Sequence, residues 1–232
     1  MSVYGGPKIS EGSLVCHLDA ATFKSYPGSG TTWIDLSGNG NNGTLTNGPT
    51  FSGLVGGSIV LDGVNDSVRI VTNTQINSLS GDFTYEMIFT MPGTGSYIYP
   101  RGMAKGNYLS SGLTFGVNVD ASVYGGGWAY GPTWTSMETG FASVPNNTWT
   151  HMIFTRFSNN VYSYYFTQSG LSYSTGAFSS DCSSSNDLYL GANGSGGETG
   201  RLNIAVFRQY NRGLRDSEVY QNYYATRGRF NI

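Results

Sequence analysis

The chain has 232 residues, 34 of them glycine, with 14% aromatic residues, only 11% charged residues and a net charge of −2. Average soluble domains are about one-quarter charged, so Ser, Thr, Asn and Gly must solvate this surface. That balance excludes a nucleic-acid binder built on phosphate contacts, a helical bundle and a disordered chain, and it points to an all-β protein. The length fits one large β domain able to bury its own core without a disulfide or metal. The start, Met1 to Lys8, shows no basic-then-apolar secretory pattern. No apolar run approaches the roughly 18 residues of a membrane span.

Residues 1–12 lack strand periodicity and read as an N-terminal arm; residues 13–232 read as one sandwich domain without internal repeat or linker. The first apolar run, Leu14-Val15-Cys16-His17-Leu18, puts Cys16 on the strand face of Leu14 and Leu18. A small buried hydrophobe is favoured there over a disulfide with Cys182, which sits in a Ser-rich loop lacking a basic neighbour to activate it. Asn39-Gly40, Asn42-Gly43, Asn47-Gly48, Asp62-Gly63 and Asn193-Gly194 supply positive-φ turn positions and account for much of the glycine. The four N-x-S/T sequons, at Asn42, Asn65, Asn146 and Asn193, read as ordinary turn sequences.

Asp62-Gly63-Val64-Asn65-Asp66 joins two strands and offers three oxygen side chains, Asp62, Asn65 and Asp66, of the kind calcium takes. A bulged turn selects the same residues, and the turn is the favoured reading. In Asp82–Met91, Phe83, Tyr85, Met87, Phe89 and Met91 share one face, with Thr84, Glu86, Ile88 and Thr90 on the other. Trp149, His151, Ile153 and Phe157 oppose Met152 and Phe154, and Leu202, Ile204, Val206, Arg208 and Tyr210 form a further row. Such period-2 runs between turns predict antiparallel strands. One helix follows Arg215, with Val219 and Tyr223 on one face and an end before Gly228.

Three blocks carry a family resemblance: Gly12–Ala20 continuing to Pro49, Gly57–Val68, and Leu188–Ala192 followed by Arg201–Leu214 with Tyr210-Asn211-Arg212. In order and spacing they resemble the laminin-G-like branch of the concanavalin A-like lectin/glucanase superfamily. The first block, preceded by Gly6-Pro7-Lys8, is similar to a variant found in structural proteins of tailed bacteriophages. The resemblance implies a jelly-roll sandwich of two antiparallel sheets with one short C-terminal helix. Family members usually carry an acidic residue in the strand where this chain has Ile204-Ala205-Val206-Phe207. Arg215 stands where Ser or Thr often caps the last helix, which leaves Asp216 as the expected cap.

Glycosidases need two carboxylates converging on a sugar cleft, roughly 5–10 Å apart. Here Glu86 is alone on its strand, and Asp216 and Glu218 lie at a helix start where the dipole explains them. His17 and His151 sit in strand patterns without a nucleophile partner and read as structural. No zinc spacing or phosphate loop is present. The better lead is Val123–Trp134, where Tyr124, Trp128, Tyr130 and Trp134 alternate with flexible glycines and suit sugar stacking or a protein interface, unless they form an inward strand face.

The expectation is therefore a non-catalytic protein with no resident cofactor beyond the calcium alternative. Through the phage resemblance it is a multi-copy virion component, a capsid decoration (cement) or fibre protein, whose arm extends onto a neighbouring subunit. Its partners would be the major capsid protein or fibre subunits. The alternative is a lectin-like module binding host-surface glycans. Nucleic acid and membrane are not expected partners.

Overall fold

A computed structural model describes residues 8–92, 101–107, 111–117, 127–130, 145–194 and 196–232. In chain order the strands are β1 (Leu14–Asp19), β2 (Thr32–Trp33), β3 (Gly43–Thr46), β4 (Thr50–Ser52), β5 (Ser58–Asp62), β6 (Ser67–Ile70), β7 (Phe83–Thr90) and β8 (Arg101–Asn107). They continue as β9 (Ser111–Val117), β10 (Gly127–Tyr130), β11 (Thr150–Phe157), β12 (Asn160–Thr167), β13 (Gly170–Ala177), β14 (Leu188–Leu190) and β15 (Arg201–Tyr210). Among the described residues one helix, α1 (Asp216–Phe230), follows.

Two antiparallel sheets result. One has the order β13-β12-β11-β7-β15-β5-β4, with β1 also paired to β15; the other runs β10-β9-β8-β14-β6-β3-β2. Their apposed faces form one core: Phe83, Tyr85, Met87 and Phe89 of β7 and Met152 and Phe154 of β11 meet Val68, Ile70, Leu188, Leu190 and Trp33 from the opposite sheet. This is the expected all-β sandwich.

The outer face of the first sheet is also buried, because α1 lies on it. All eight residues of β7 are buried: the odd-numbered ones fill the inter-sheet core, while Ile88 packs with Val206 and Phe230 toward the helix. Trp149 stacks on Phe230 at 4.9 Å. On α1 the buried residues Val219, Asn222, Thr226 and Phe230 recur at helical spacing.

Two predicted rows are broken by bulges. In β15 the register against β7 shifts between Ile204 and Val206. Leu202 and Ile204 therefore belong to the inter-sheet core with Phe207, whereas Val206 and Tyr210 pack on the helix side. In β1 the shift between Leu14 and Cys16 sends Leu14 to the helix-side cluster, away from Cys16 and Leu18. Cys16 and Cys182 are both buried free thiols.

The helix ends also differ from expectation. α1 passes Gly228, which has open space where a Cβ would stand, and stops at a left-handed Asn231. Arg215, not Asp216, is the cap residue; its N–H donates to the Glu218 carboxylate at 3.1 Å, preserving half of a capping box. Asp216 is the first helical residue and accepts the Tyr164 hydroxyl at 2.5 Å.

Lys8 to Gly12 lie along the domain's own helix. Gln221 Nε2 donates to the Lys8 carbonyl (2.7 Å), the Ser10 N–H to Asn222 Oδ1 (2.7 Å) and Arg212 Nε to the Gly12 carbonyl (2.9 Å). Residues 1–7 of the predicted arm lie outside the described residues.

Candidate functional site

The ionisable groups singled out in the sequence converge beneath α1. Glu86 is alone on β7 but not in space. Its Oε1 accepts from Arg208 Nη1 at 2.5 Å and lies 2.8 Å from His151 Nε2, while its Oε2 accepts from Asn222 Nδ2 at 2.7 Å. Burial alone would raise this carboxyl; the Arg208 charge and the bonds from His151 and Asn222 outweigh it and hold Glu86 at about 2. Glu86 and His151 are both fully buried, so this carboxylate–imidazole pair meets no solvent-borne substrate. Its work is to fasten the helix to the sheet. His17, the direct cross-strand partner of Arg208, is held at about 4, first by burial and then by the Arg208 charge.

The Asp62–Asp66 segment forms a self-bonded turn. Asp62 Oδ1 accepts the N–H groups of Val64 (2.8 Å) and Asn65 (3.4 Å), and Asp66 Oδ2 accepts the Asp62 N–H (3.1 Å). Thr199 Oγ1 donates to the carbonyls of Gly63 and Val64. Burial raises the Asp66 carboxyl above its ordinary range, which disfavours the charged form a cation would need. Of the oxygens proposed for calcium, Asp62 Oδ1 and Asp66 Oδ2 are engaged with the turn's own N–H donors.

Of the four aromatic residues proposed as a contact surface, Tyr124 and Trp134 lie outside the described residues. Trp128 and Tyr130 stand on β10, an edge strand of the second sheet, opposite Gly116 and Thr114 of β9. The register continues the Tyr130 position through Thr114, Ala104, Tyr189, Arg69 and Thr44 to Thr32. Met103, Leu190 and Val68 alternate with Ala104, Tyr189 and Arg69 and lie in the core, so Ala104, Tyr189 and Arg69 stand on the sheet's outer face. Arg69 there pairs with Asp187 at 2.5 Å.

The three tyrosines of β12 divide between the two faces of the sheet. Tyr165 enters the inter-sheet core, whereas Tyr162 and Tyr164 pack on the helix side. There they join an aromatic surface that strand periodicity did not reveal. Phe166 stacks on Tyr223 at 4.1 Å, Tyr164 meets Tyr173 at 5.0 Å, and Tyr220 stacks with Tyr224 at 6.3 Å. The Arg227 guanidinium lies over both Tyr223 (5.6 Å) and Tyr224 (5.4 Å). Positions 220, 223, 224 and 227 follow the i, i+3, i+4, i+7 spacing of one helix stripe, which was the available signal.

Beside this stripe is an open groove of about 420 Å³, with Thr167 and Gln168 of the β12–β13 turn on one side and Tyr223, Arg227 and Asn231 on the other. Tyr224, which does not line the groove, is 53% exposed and shares the Arg227 guanidinium with Tyr223. The groove and this neighbouring ring together offer aromatic surface beside planar amide and guanidinium donors, a combination suited to a polyhydroxylated ring.

No family model matches the chain, and no curated protein matches it by sequence. Solved structures do share its fold. Trypanosoma rangeli sialidase superposes with a TM-score of 0.62 at 13% identity, over 93% of this chain and 33% of that one. The binding domain of Paraclostridial Mosquitocidal Protein 1 gives 0.62 at 17% identity, over 92% of this chain and 53% of that one. Domain 4 of AbnA, a GH43 extracellular arabinanase from Geobacillus stearothermophilus, in complex with arabinotriose, gives 0.61 at 16% identity, over 92% of this chain and 98% of that one. This chain spans about a third of the sialidase and about half of the mosquitocidal protein's binding domain. At these identities the likeness is one of fold alone: a sandwich of two antiparallel sheets.

Proposed function

We propose that this protein is a non-catalytic carbohydrate-binding module, with the groove at the C-terminal end of α1 as its contact surface. The observation that carries this reading is the exposed Tyr224 ring, which shares the Arg227 guanidinium with the groove that Tyr223, Gln168 and Asn231 line. A sugar ring stacks its C–H face on an aromatic side chain while its hydroxyls take hydrogen bonds from the flanking donors. The arabinanase domain solved with arabinotriose supports it as a domain of matching extent that holds an oligosaccharide. The sealing of Glu86 and His151 under the helix supports a binding rather than a hydrolytic role.

The β10 edge of the second sheet, which carries Trp128 and Tyr130, is the competing location for the same ligand class. The virion decoration or fibre reading draws no support from the compared structures. In addition, the arm segment expected to reach a neighbouring subunit is held from Lys8 to Gly12 on the domain's own helix.

A glycan array followed by calorimetric titration tests the proposal. Binding is expected to weaken at least about tenfold, about 1.4 kcal/mol, in Tyr224→Ala and in Arg227→Ala. It is expected to persist in Trp128→Ala/Tyr130→Ala; the reverse pattern would transfer the site to the second sheet. Failure to retain any glycan overturns the reading altogether.

A further inference from the structure

An open sheet must dispose of its edge strands, whose outward N–H and C=O groups template pairing with another chain. Three of the four sheet ends here are short: β2 has two residues, β4 three and β10 four. β1, which borders β15, is covered by the loop that follows β2. The Leu36 N–H donates to the His17 carbonyl, and Ser37, Asn39 and Asn41 side chains donate to the Val15 carbonyl.

Among the described residues nothing covers the fourth end, β13, and it is neither short nor charged. It is eight residues long and alternates between exposed and half-buried positions after an exposed start. It contains no proline or charged residue, and the whole stretch 157–180 has no Asp, Glu, Lys or Arg. On its helix-side face Leu171 and Tyr173 are 41% and 50% exposed, opposite Phe166 and Tyr164 of β12. The intervening residues, Ser172, Ser174 and Gly176, are all small. Charged edges, prolines and short edges are the usual barriers to edge-to-edge pairing, and β13 lacks all three.

We propose that β13 is a self-association edge, on which a second copy of this chain pairs its own β13 antiparallel about a two-fold axis. The occupant is another copy because the strand is self-complementary. Such an axis puts the Leu171 and Tyr173 side of one strand beside the same side of the other, and the small side beside the small side, with no like charges to separate. A neutral edge of this kind also has no charge pattern with which to select a charged partner. The pairing extends the first sheet across both protomers and withdraws Leu171 and Tyr173 from water. It does not depend on the glycan reading, since Tyr224 and Arg227 take no part in it.

Sedimentation analysis of the full chain from low to high micromolar concentration tests this. The mass is expected to rise from 24.9 kDa toward twice that value. Ser174→Lys and Tyr173→Lys, each placing an ammonium against its own copy, are expected to weaken association at least about tenfold. Phe23→Lys, at an exposed apolar position in the loop between β1 and β2, is expected to leave association unchanged. Far-UV circular dichroism confirms that each variant is folded. In the wild-type protein, hydrogen exchange of amides 170–177 is expected to slow as concentration rises, a readout needing no substitution. A monomer at every concentration, exchange indifferent to concentration, or a dimer untouched by both lysine variants overturns the proposal.

Discussion

Glu86 and Arg208 face each other as direct cross-strand partners on β7 and β15, with Nη1 2.5 Å from Oε1 and neither side chain more than 2% exposed. Burying two charges contributes little net stability when compared with a well-packed apolar pair, but removing one partner leaves the other charge without compensation. Glu86→Gln is therefore expected to destabilise the protein by about 3–5 kcal/mol in urea unfolding. Asn222→Ala, which removes a neutral donor to the same carboxylate, is expected to cost about 1–3 kcal/mol. An Asn222 effect larger than the Glu86 effect would contradict the placement of Glu86 at the centre of this cluster.

Acid is expected to weaken the fold in two overlapping stages of the same sign. His17 is held at about 4 against an ordinary 6.5, so between those values the unfolded chain binds a proton that the folded chain does not. Stability therefore falls as pH drops from about 6.5 toward 4. Glu86 is held at about 2 against an ordinary 4.5, so its contribution, complete above 4.5, is lost as pH falls toward 2. The urea midpoint measured against pH should decline through both ranges, and His17→Gln should abolish the upper stage while leaving the lower. A midpoint flat between pH 6.5 and 4.5 would show that His17 is not held neutral by its surroundings.

The central strands of the first sheet, β7, β11 and β15, were legible because alternation is a local property. Phe83, Tyr85, Met87 and Phe89 share a face by backbone geometry alone, and the structure puts that face in the core. What decided the other face was not local. Alternation puts Thr84, Glu86 and Ile88 together on the opposite face without saying what lies against it, and the segment from Arg212 through α1, more than a hundred residues later, buries all three. The aromatic groove was missed for a related reason: helical spacing pairs Tyr223 with Val219, but that Tyr223 and Arg227 line a groove follows only from the β12–β13 turn beside them. Bulges are the third blind spot. A strict two-residue count from Leu202 to Tyr210 has no means of seeing the extra residue that moves Val206 to the helix side.

That bulge yields a sharp test. Deleting Ala205 closes the bulge and restores unbroken alternation: Ile204 and Phe207 stay on the core face, and Val206, Arg208 and Tyr210 stay on the helix side. The Arg208 guanidinium therefore keeps its place opposite Glu86. The deletion variant is expected to remain folded with a cooperative thermal transition, losing the bond from the Ala20 N–H to the Ala205 carbonyl. An insoluble variant, or one without a cooperative transition, would mean that the sandwich requires the extra residue.

The two cysteines offer a check on the core itself. Cys16 lies between the sheets, its Sγ donating to the Asn41 carbonyl, and burial together with the nearby Asp35 charge raises its thiol well above the ordinary range. Cys182, in the Ser-rich loop, is also fully buried, and burial pushes its thiol up to about 12 despite the opposing charge of Arg156. Only the thiolate reacts at an appreciable rate, and neither sulfur is accessible to a bulky reagent. Ellman's reagent at pH 8 is therefore expected to detect almost no thiol in the native protein and two equivalents after unfolding in guanidinium. Rapid native reaction of one equivalent, assigned by Cys182→Ser, would show that the 179–185 loop opens readily from the sandwich end. Reaction of Cys16 would instead require the two sheets to part.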